Sequence, residues 1–291
     1  MVFPVRKVDV MRRLLLCTDL DRTLIPNGVP VESPHAKELL EQLVERDDVT
    51  LAYVTGRHRE LIEQAIAEYD LPVPHYAIAD VGTSIYQVAS QRWRPWQNWS
   101  DHLAADWVGF SVSELGHLLE SIPGIRLQEA EKLSQFKLSF YSPMNTNNEE
   151  INALIETLLQ RKGIRANLIW SIDEAKSVQL LDVLPANASK LRAIRFVMQQ
   201  DNFHLRDTVF AGDSGNDVDV FASEIPSVLV ANADAKLKSW ALQLKSDSLY
   251  VAQGGPLGMN GNYRAGILEG VMHYWPESVS WLSGQTTRKD L

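Results

Sequence analysis

The sequence is poor in cysteine and in long apolar runs, and each absence excludes a class of protein. Cys17 is the only cysteine in 291 residues. No internal disulfide can therefore form, and we expect a reducing compartment, the cytoplasm. No stretch approaches the roughly 18 consecutive apolar residues of a transmembrane helix, so we expect no membrane span.

Basic charge is also scarce. Lysine and arginine number 28 against 37 aspartate and glutamate residues, a formal net charge of -9. A protein that binds nucleic acid or an anionic membrane generally has a basic surface, so neither is an expected partner, whereas a local basic pocket for a small anion is compatible with this charge. The seven histidines are scattered and form no Cys/His ligand pattern, which argues against a zinc site.

Short apolar strands alternate with helices at both ends of the sequence. The first part has predicted strands at 13–18, 49–55 and 75–80 and a predicted helix at 58–69. Ser33 followed by Pro34 predicts the start of another helix, between the first two strands. The last part has a predicted helix at 188–200 and predicted strands at 207–212, 226–230 and 248–252. Such alternation is typical of a parallel sheet covered by helices on both faces.

The middle of the sequence has a different pattern. It contains the strand-like stretches "FKLSFYS", "ANLIWS" and "SVQLLD" together with two helical stretches, as expected for a separate α+β unit. The sequence therefore predicts an α/β core formed by residues 1–85 and 183–291. An α+β domain at residues 86–182 is inserted into it.

Polar and acidic residues follow the predicted core strands at the points where they end. Asp19 and Asp21 follow the first strand, and the stretches 55–57, 80–84 and 212–217 follow three others. Sites in open α/β sheets form outside the carboxyl ends of the strands. The stretch "GDSGND" consists of turn residues and by itself would be read as a solvated turn. Four such clusters at strand ends favour a common site.

The chemistry of these residues suggests a reason for the set. Asp19, Asp21 and Asp213 could bind one hard divalent cation, and Mg²⁺ is the first candidate because it prefers oxygen ligands and keeps several waters. A metal beside a nucleophilic carboxylate is a phosphoryl-transfer arrangement. The Thr55 hydroxyl and the Lys190 ammonium would complete an anion-binding cradle.

The motifs together resemble those of a known superfamily. "DLDRT", "VTGR", Lys190 and "GDSGND" are similar, in that order, to the four motifs of the haloacid dehalogenase (HAD) superfamily. Closer similarity to sucrose-phosphate phosphatases extends over "DVGTSIY", "WQNWSDHLAADW", "FKLSFY" and "AGILEGVMHY". The resemblance implies a Rossmann-like parallel-sheet HAD core with an inserted α+β cap of the C2 type.

The resemblance also implies roles at the phosphate. Asp19 would be the nucleophile that forms an aspartyl-phosphate. Asp21 would protonate the leaving sugar oxygen and then activate water, a role that needs a pKa near the working pH. Thr55 and Lys190 would hold the phosphate, and Asn216 would touch it.

A second group of roles concerns the metal. Asp213 would hold Mg²⁺ together with Asp19 and with the backbone carbonyl of Asp21, and Asp217 would orient the metal shell or Lys190. Two positions depart from the superfamily pattern, because many members have glycine where this sequence has Arg22 and Leu191.

The motifs give less information about which residues would bind the sugar. Gly56, Arg57, Thr83 and Lys137 are the candidates for substrate binding, and Lys137 could instead lie on a solvated strand face. A cluster of tryptophans at positions 93–107 could stack on the sugar, although packing of cap against core is the plainer interpretation.

The resemblance implies a Mg²⁺-dependent phosphatase of a disaccharide phosphate, with sucrose 6-phosphate first. Phosphates of mannosylfructose or glucosylglycerol are close rivals, and a sugar-phosphate glycosyltransferase is a candidate partner. A phosphomutase and a non-catalytic phosphatase-like partner of a glycosyltransferase are the other classes. The presence of Asp19, Asp21, Lys190 and Asp213 argues against the non-catalytic class.

Overall fold

The computed structural model describes residues 12–90, 92–173 and 176–289. The first eleven residues of the predicted core lie outside this part of the chain. The larger of two sheets has eight strands in the order β12-β11-β10-β1-β2-β3-β4-β5. Its strands are β1 (Leu14–Thr18), β2 (Val49–Val54), β3 (Tyr76–Ala79), β4 (Ser84–Ala89), β5 (Arg92–Pro95), β10 (Thr208–Gly212), β11 (Ser227–Leu229) and β12 (Leu249–Val251).

The centre of this sheet is parallel and buried on both faces. All five residues of β1 are buried, as a nearly continuous apolar strand requires when helices cover both faces. Thr18 pairs with Tyr53 of β2 on one side and with Ala211 of β10 on the other. The three strands therefore end at the same edge, and the residues that follow them are brought together there. The predicted parallel sheet is confirmed.

Helices flank the large sheet. They are α1 (Ala36–Val44), α2 (Arg59–Tyr69), α6 (Lys190–Gln200), α7 (Val218–Phe221), α8 (Ala235–Leu244), α9 (Arg264–Tyr274) and α10 (Glu277–Lys289). The predicted N-cap of α1 is wrong, because His35 precedes the helix with a left-handed φ of 63°. The hydroxyl of Ser33 accepts a hydrogen bond from the backbone N–H of Asn260 instead.

The smaller sheet has four antiparallel strands in the order β6-β7-β9-β8. They are β6 (Arg126–Leu127), β7 (Leu138–Pro143), β8 (Ala166–Asp173) and β9 (Val178–Pro185), and the helices of this region are α3 (Gln97–Ala104), α4 (Val112–Leu119) and α5 (Asn148–Gln160). Asn147 caps α5 by accepting hydrogen bonds from the backbone N–H groups of Glu149 and Glu150. The predicted α+β character of the middle region is confirmed. Among the described residues, no helix is long and apolar enough to cross a bilayer.

The hairpin of β4 and β5 belongs to the large sheet. Strand β4 pairs antiparallel with β3, and β5 pairs antiparallel with β4. The predicted boundary after residue 85 falls inside β4, so the large sheet continues to Pro95. The division of the chain into core and cap stays a proposal, and the strand pairing favours a boundary after β5.

Three of the four tryptophans at positions 93–107, Trp96, Trp99 and Trp107, are packing residues. The rings of Trp96 and Trp99 lie 5.2 and 5.1 Å from the ring of Phe196 in α6. The indole N–H of Trp99 donates to the carbonyl of Gly82, and Trp107 is buried against Phe136. These contacts agree with the packing interpretation.

Candidate active site

The end of β1 presents Asp19 to a fully buried lysine. The Asp19 carboxylate accepts a hydrogen bond of 2.8 Å from the backbone N–H of Leu20. Lys190 is the first residue of α6, whose N-cap Ser189 accepts from the backbone N–H of Arg192. The Lys190 Nζ lies 3.4 Å from Asp19 Oδ1 and 2.6 Å from Asp217 Oδ1. Burial would lower the Lys190 pKa, but attraction to Asp19 and Asp217 outweighs it and raises that pKa.

The loop after β10 fixes the other two carboxylates. Asp217 Oδ2 accepts from the backbone N–H groups of Asp213 and Ser214 at 3.2 and 3.1 Å. A Cβ on Gly212 would lie 2.5 Å from Asp217 Oδ2, so this close approach requires glycine. Asn216 accepts a hydrogen bond of 2.8 Å from the Lys190 ammonium. The ammonium therefore joins the loop to Asp19.

Asp19, Asp213 and Asp217 form a cluster that fits a divalent metal. One carboxylate oxygen of each lies within 4.8 Å of the others. Burial and then the charge of Asp217 raise the pKa of Asp213 to about 7. Burial also raises the pKa of Asp19 well above its usual range, although the charge of Lys190 opposes the shift. Buried carboxylates this close disfavour their charged forms, and a hard cation with oxygen ligands would compensate them.

The Asp21 carboxylate is outside this cluster and is bound by Arg57. The guanidinium donates two hydrogen bonds, from Nε at 2.8 Å and from Nη2 at 2.6 Å. Asn27 donates a third at 2.8 Å. Partial burial would raise the Asp21 pKa, but the hydrogen bonds and charge of Arg57 outweigh it and lower that pKa. The expected pKa near the working pH is therefore not found while this pair is formed.

Most predicted site residues line one cavity of about 400 Å³. Those around it are Asp19, Asp21, Thr55, Gly56, Arg57, Lys137, Asp213 and Asn216. Lys190 and Asp217 are not among the residues that line this cavity. Their buried side chains contact Asp19 and the backbone of Asp213, respectively. Thr83 is not among the lining residues, because it is buried in the turn after β3 and its hydroxyl donates to the Asp80 carbonyl.

Lys137 connects the two sheets. Its side chain is 8% exposed, so a solvated strand face is excluded. Its Nζ lies 3.0 Å from Asp80 Oδ1 and 3.4 Å from the carbonyl oxygen of Gly56. The Lys137 ammonium, which was predicted to bind the substrate, is thus paired with the Asp80 carboxylate of the core. Asp80 belongs to one of the polar stretches that the sequence places at the sheet edge, but its pairing with Lys137 was not predicted, because nothing in the pattern around β7 indicates which loop faces it.

The opposite wall of the site is formed by β8 and β9. A cavity of about 1090 Å³ lies between these strands and the loops at Asp21 and Asn216. Trp170, Ser171, Ile172 and Gln179 face it from the smaller sheet. Trp170 is half-buried, and its indole N–H donates to Asn152 at 2.8 Å. This tryptophan was also missed, although its position in the stretch "ANLIWS" could have indicated it.

Comparison with known proteins identifies the family. The family model described as sucrose-6F-phosphate phosphohydrolase matches residues 12–275. The chain belongs to this family. A protein of Nitrosococcus oceani described as a HAD-like hydrolase is 47% identical over 275 residues, which cover 93% of this chain and 74% of that protein.

A solved structure of the family is similar over nearly the whole chain. The X-ray structure of the sucrose-phosphatase from Synechocystis, in complex with sucrose and phosphate, is 27% identical with a TM-score of 0.71. The match covers 91% of this chain and 98% of that chain. The predicted HAD fold, with a parallel-sheet core and an α+β cap, is confirmed. Membership of the family places the chain among the phosphoric monoester hydrolases.

Other relatives differ in activity and in length. The mannosylfructose-phosphate phosphatase of Agrobacterium fabrum is 29% identical over 79% of this chain and 87% of its own length. Sucrose-phosphatase 1 of Nicotiana tabacum is 26% identical, and this chain spans only 59% of it. A glucosylglycerol-phosphate synthase of Pseudomonas anguilliseptica is 25% identical over 77% of this chain and 27% of the synthase.

Proposed function

We propose that the protein is a Mg²⁺-dependent phosphatase of a disaccharide phosphate, with sucrose 6-phosphate as the first candidate substrate. The observation that carries this proposal is the buried cluster of Asp19, Lys190, Asp213 and Asp217 at the carboxyl edge of the core sheet. The cluster borders cavities that are closed on the far side by the cap strands.

In the first step, an Asp19 oxygen attacks the phosphorus and the bond to the sugar oxygen breaks. The leaving oxygen takes a proton from Asp21, and an aspartyl-phosphate is left on Asp19. Lys190 and Thr55 hold the phosphoryl oxygens. Since Lys190 is already fixed by Asp217 and Asn216, its charge needs no rearrangement to meet the phosphate.

In the second step, Asp21 takes a proton from water, which attacks the phosphorus and frees the Asp19 carboxylate. Asp21 begins the cycle as an acid, so its two hydrogen bonds to Arg57 must first be exchanged for other contacts. Arg57 lines the same cavity, where an anionic substrate would attract its guanidinium. We therefore propose that Arg57 moves from Asp21 to the substrate.

The metal would be held by Asp19 and Asp213, with Asp217 fixing the loop that carries Asp213. When bound, Mg²⁺ supplies positive charge that lets a carboxylate and a phosphate approach each other. The pKa values of Asp19 and Asp213 are raised by burial even though Lys190 and Arg22 lie beside them, which supports this assignment because a further positive charge would favour their ionised forms.

The size and lining of the larger cavity, between the strands β8 and β9 and the core loops, support a disaccharide phosphate as the substrate. A volume of about 1090 Å³ exceeds what a phosphate needs and is comparable to typical small-molecule sites. Trp170 lines the cavity with an aromatic side chain and Ser171 with a hydroxyl, groups that suit a sugar, whereas the amide N–H groups of Gln179 already donate to backbone carbonyls. Similarity to the phosphatase of Agrobacterium fabrum makes mannosylfructose phosphate the second candidate, and glucosylglycerol phosphate is the third.

An association with a sugar-phosphate glycosyltransferase is a further part of the proposal. It is supported by the glucosylglycerol-phosphate synthase relative, in which a segment similar to most of this chain is one part of a longer protein. A pull-down with a purified sugar-phosphate glycosyltransferase, followed by measurement of complex mass, tests that part separately.

Phosphate release from a panel of sugar phosphates tests the reaction and the substrate. The panel contains sucrose 6-phosphate, mannosylfructose phosphate, glucosylglycerol phosphate and glucose 6-phosphate, each with Mg²⁺ and with excess chelator. We expect strong preference for one disaccharide phosphate, and loss of activity in chelator. Release no faster than from the Asp19→Asn variant would refute a phosphatase, and isomerised sugar phosphate without released phosphate would indicate a mutase.

A further inference from the structure

Arg22 is a cation placed beside the proposed metal site at a position where many superfamily members have glycine. Its backbone is held in the left-handed region, with a φ of 57°. Its N–H donates to Asn27 Oδ1 at 2.8 Å, and its carbonyl accepts from Asn232 Nδ2 at 2.6 Å. These two bonds fix where the side chain starts, and its Nε lies 3.3 Å from Asp213 Oδ2.

The contact between Arg22 and Asp213 is an ion pair without a hydrogen bond. The Arg22 Nε is shielded from solvent and makes no hydrogen bond within the part of the chain that the structure describes. Arg22 is 42% exposed, whereas Asp213 is 4% exposed. The neighbouring pair differs, because Arg57 donates two hydrogen bonds to Asp21. Arg22 therefore supplies charge to Asp213 without being anchored to it.

A divalent cation on Asp213 would lie next to this guanidinium. Two positive groups that share one carboxylate repel each other, and Asp213 Oδ2 is too buried for water to screen that repulsion fully. Arg22 can leave, since it is partly exposed and lines both cavities of the site. An anionic substrate in those cavities would attract the displaced guanidinium.

We propose that Arg22 is an exchangeable counter-ion of Asp213, which a divalent cation displaces into the substrate cavity. Metal binding then sets the position of a substrate-facing charge. Arg22 is a positioning residue in this scheme, and the scheme rests on the metal site of the proposed function. It gives the arginine at this position a role that glycine could not have.

Metal affinity in the absence of substrate tests the inference without using activity. Isothermal titration of the metal-free protein with Mn²⁺ and with Mg²⁺ would compare wild type with Arg22→Gln and Arg22→Lys. Arg195→Gln is the matched control, because it removes one charge from an arginine that is 46% exposed and paired with Glu224 outside the site. We expect Arg22→Gln to bind metal about fivefold more tightly, as for loss of a partly exposed ion pair. Arg22→Lys and Arg195→Gln should stay within about twofold of wild type.

A second measurement is made on the wild-type protein, so that its result does not depend on the folding of Arg22→Gln. In a two-dimensional NMR spectrum of arginine Nε–H groups, the Arg22 signal is assigned by its absence from Arg22→Lys. Adding Mg²⁺ should shift this signal while the Arg195 signal stays in place.

The outcomes separate the inference from the proposed function. If metal binds to the wild type and Arg22→Gln binds it equally or less tightly, the inference is wrong and the metal site stands. An Arg22 signal that does not move when metal binds would also refute displacement. If neither metal binds to wild type or variants, the metal site of the proposed function fails and takes the inference with it.

Discussion

The two walls of the active-site cavity are built on different principles. On the core wall, Lys190 and Asp217 have fully buried side chains and Asp19 is 7% exposed, and hydrogen bonds tie them to each other and to the backbone. On the cap wall, Ile172 is 57% exposed and Trp170 is half-buried. Charge is concentrated and buried where bonds would be made and broken. The wall that would meet the sugar is more exposed and more mixed, with Trp170, Ser171 and Ile172 beside the charged Asp173. This difference predicts that changes in the core affect turnover and that changes in the cap affect substrate binding.

The largest expected effect is that of Asp19→Asn. An amide is a far poorer nucleophile than a carboxylate, so turnover should fall by about 10⁴-fold or more, as for loss of other enzyme nucleophiles. The backbone N–H of Leu20 can still donate to the amide oxygen, so the fold should be kept. Phosphate release and circular dichroism measure the two effects. Turnover near that of wild type would remove Asp19 as the nucleophile.

Lys190→Met comes second, and it should reduce both activity and stability. It leaves Asp19 and Asp217 buried without their shared cation, and breaking a buried ion pair in this way costs about 3–5 kcal/mol. Urea unfolding in chelator measures the loss, and Lys236→Met is the control because Lys236 is exposed. Equal stability of the two variants would contradict the buried network.

The third prediction concerns the stability of the metal-free protein as pH rises. Burial and Asp217 raise the pKa of Asp213 to about 7, against about 3.9 for an unfolded aspartate. Between these values the folded chain binds a proton that the unfolded chain has lost, so Asp213 makes stability fall as pH increases. We expect this fall to be about 1–2 kcal/mol between pH 5 and pH 7.

Urea unfolding in chelator at pH 5, 6, 7 and 8 measures this slope. Asp213→Asn should reduce it, because the amide does not titrate, and Asp19, whose pKa burial also raises, would keep part of the slope. A slope that is unchanged in Asp213→Asn would assign the effect to other carboxylates.

The smallest of these effects is expected at the cap wall. Trp170→Leu removes an aromatic side chain from the substrate cavity and should raise KM by about fivefold with little change in kcat, as for loss of an aromatic contact of about 1 kcal/mol. Trp96→Leu is the matched control, because Trp96 packs on Phe196. It should lower stability and leave KM unchanged. A fall in kcat alone for Trp170→Leu would show that the two walls do not divide binding from chemistry in this way.

The core wall was largely predictable because its residues follow parallel strands. Asp19, Thr55 and Asp213 come after β1, β2 and β10, and parallel pairing forces these strand ends to one edge. An apolar strand that ends in polar residues is a local pattern, and a single sequence contains it.

The cap wall and the charge pairs were not predictable, because they depend on contacts between distant segments. Arg57 and Asp21 are 36 residues apart, and Lys137 meets Asp80 only after the small sheet is placed on the core. Thr83 is the converse case, since its hydroxyl is near the site in sequence but is buried and donates to the Asp80 carbonyl. Nothing in the residues around Ser33 shows that a left-handed His35 delays the helix.

The β4–β5 hairpin determines how this protein can be recombined with its relatives. Strand β4 is hydrogen-bonded to β3 of the core sheet and β5 to β4, whereas β9 ends at Pro185 as part of the smaller sheet. A cap transplanted from a relative of different substrate preference should therefore be joined after Pro95 and after Pro185. A graft that begins at residue 86 would import most of β4 and all of β5 from the relative, and the pairing of that foreign β4 with β3 would depend on residues that evolved beside another neighbour.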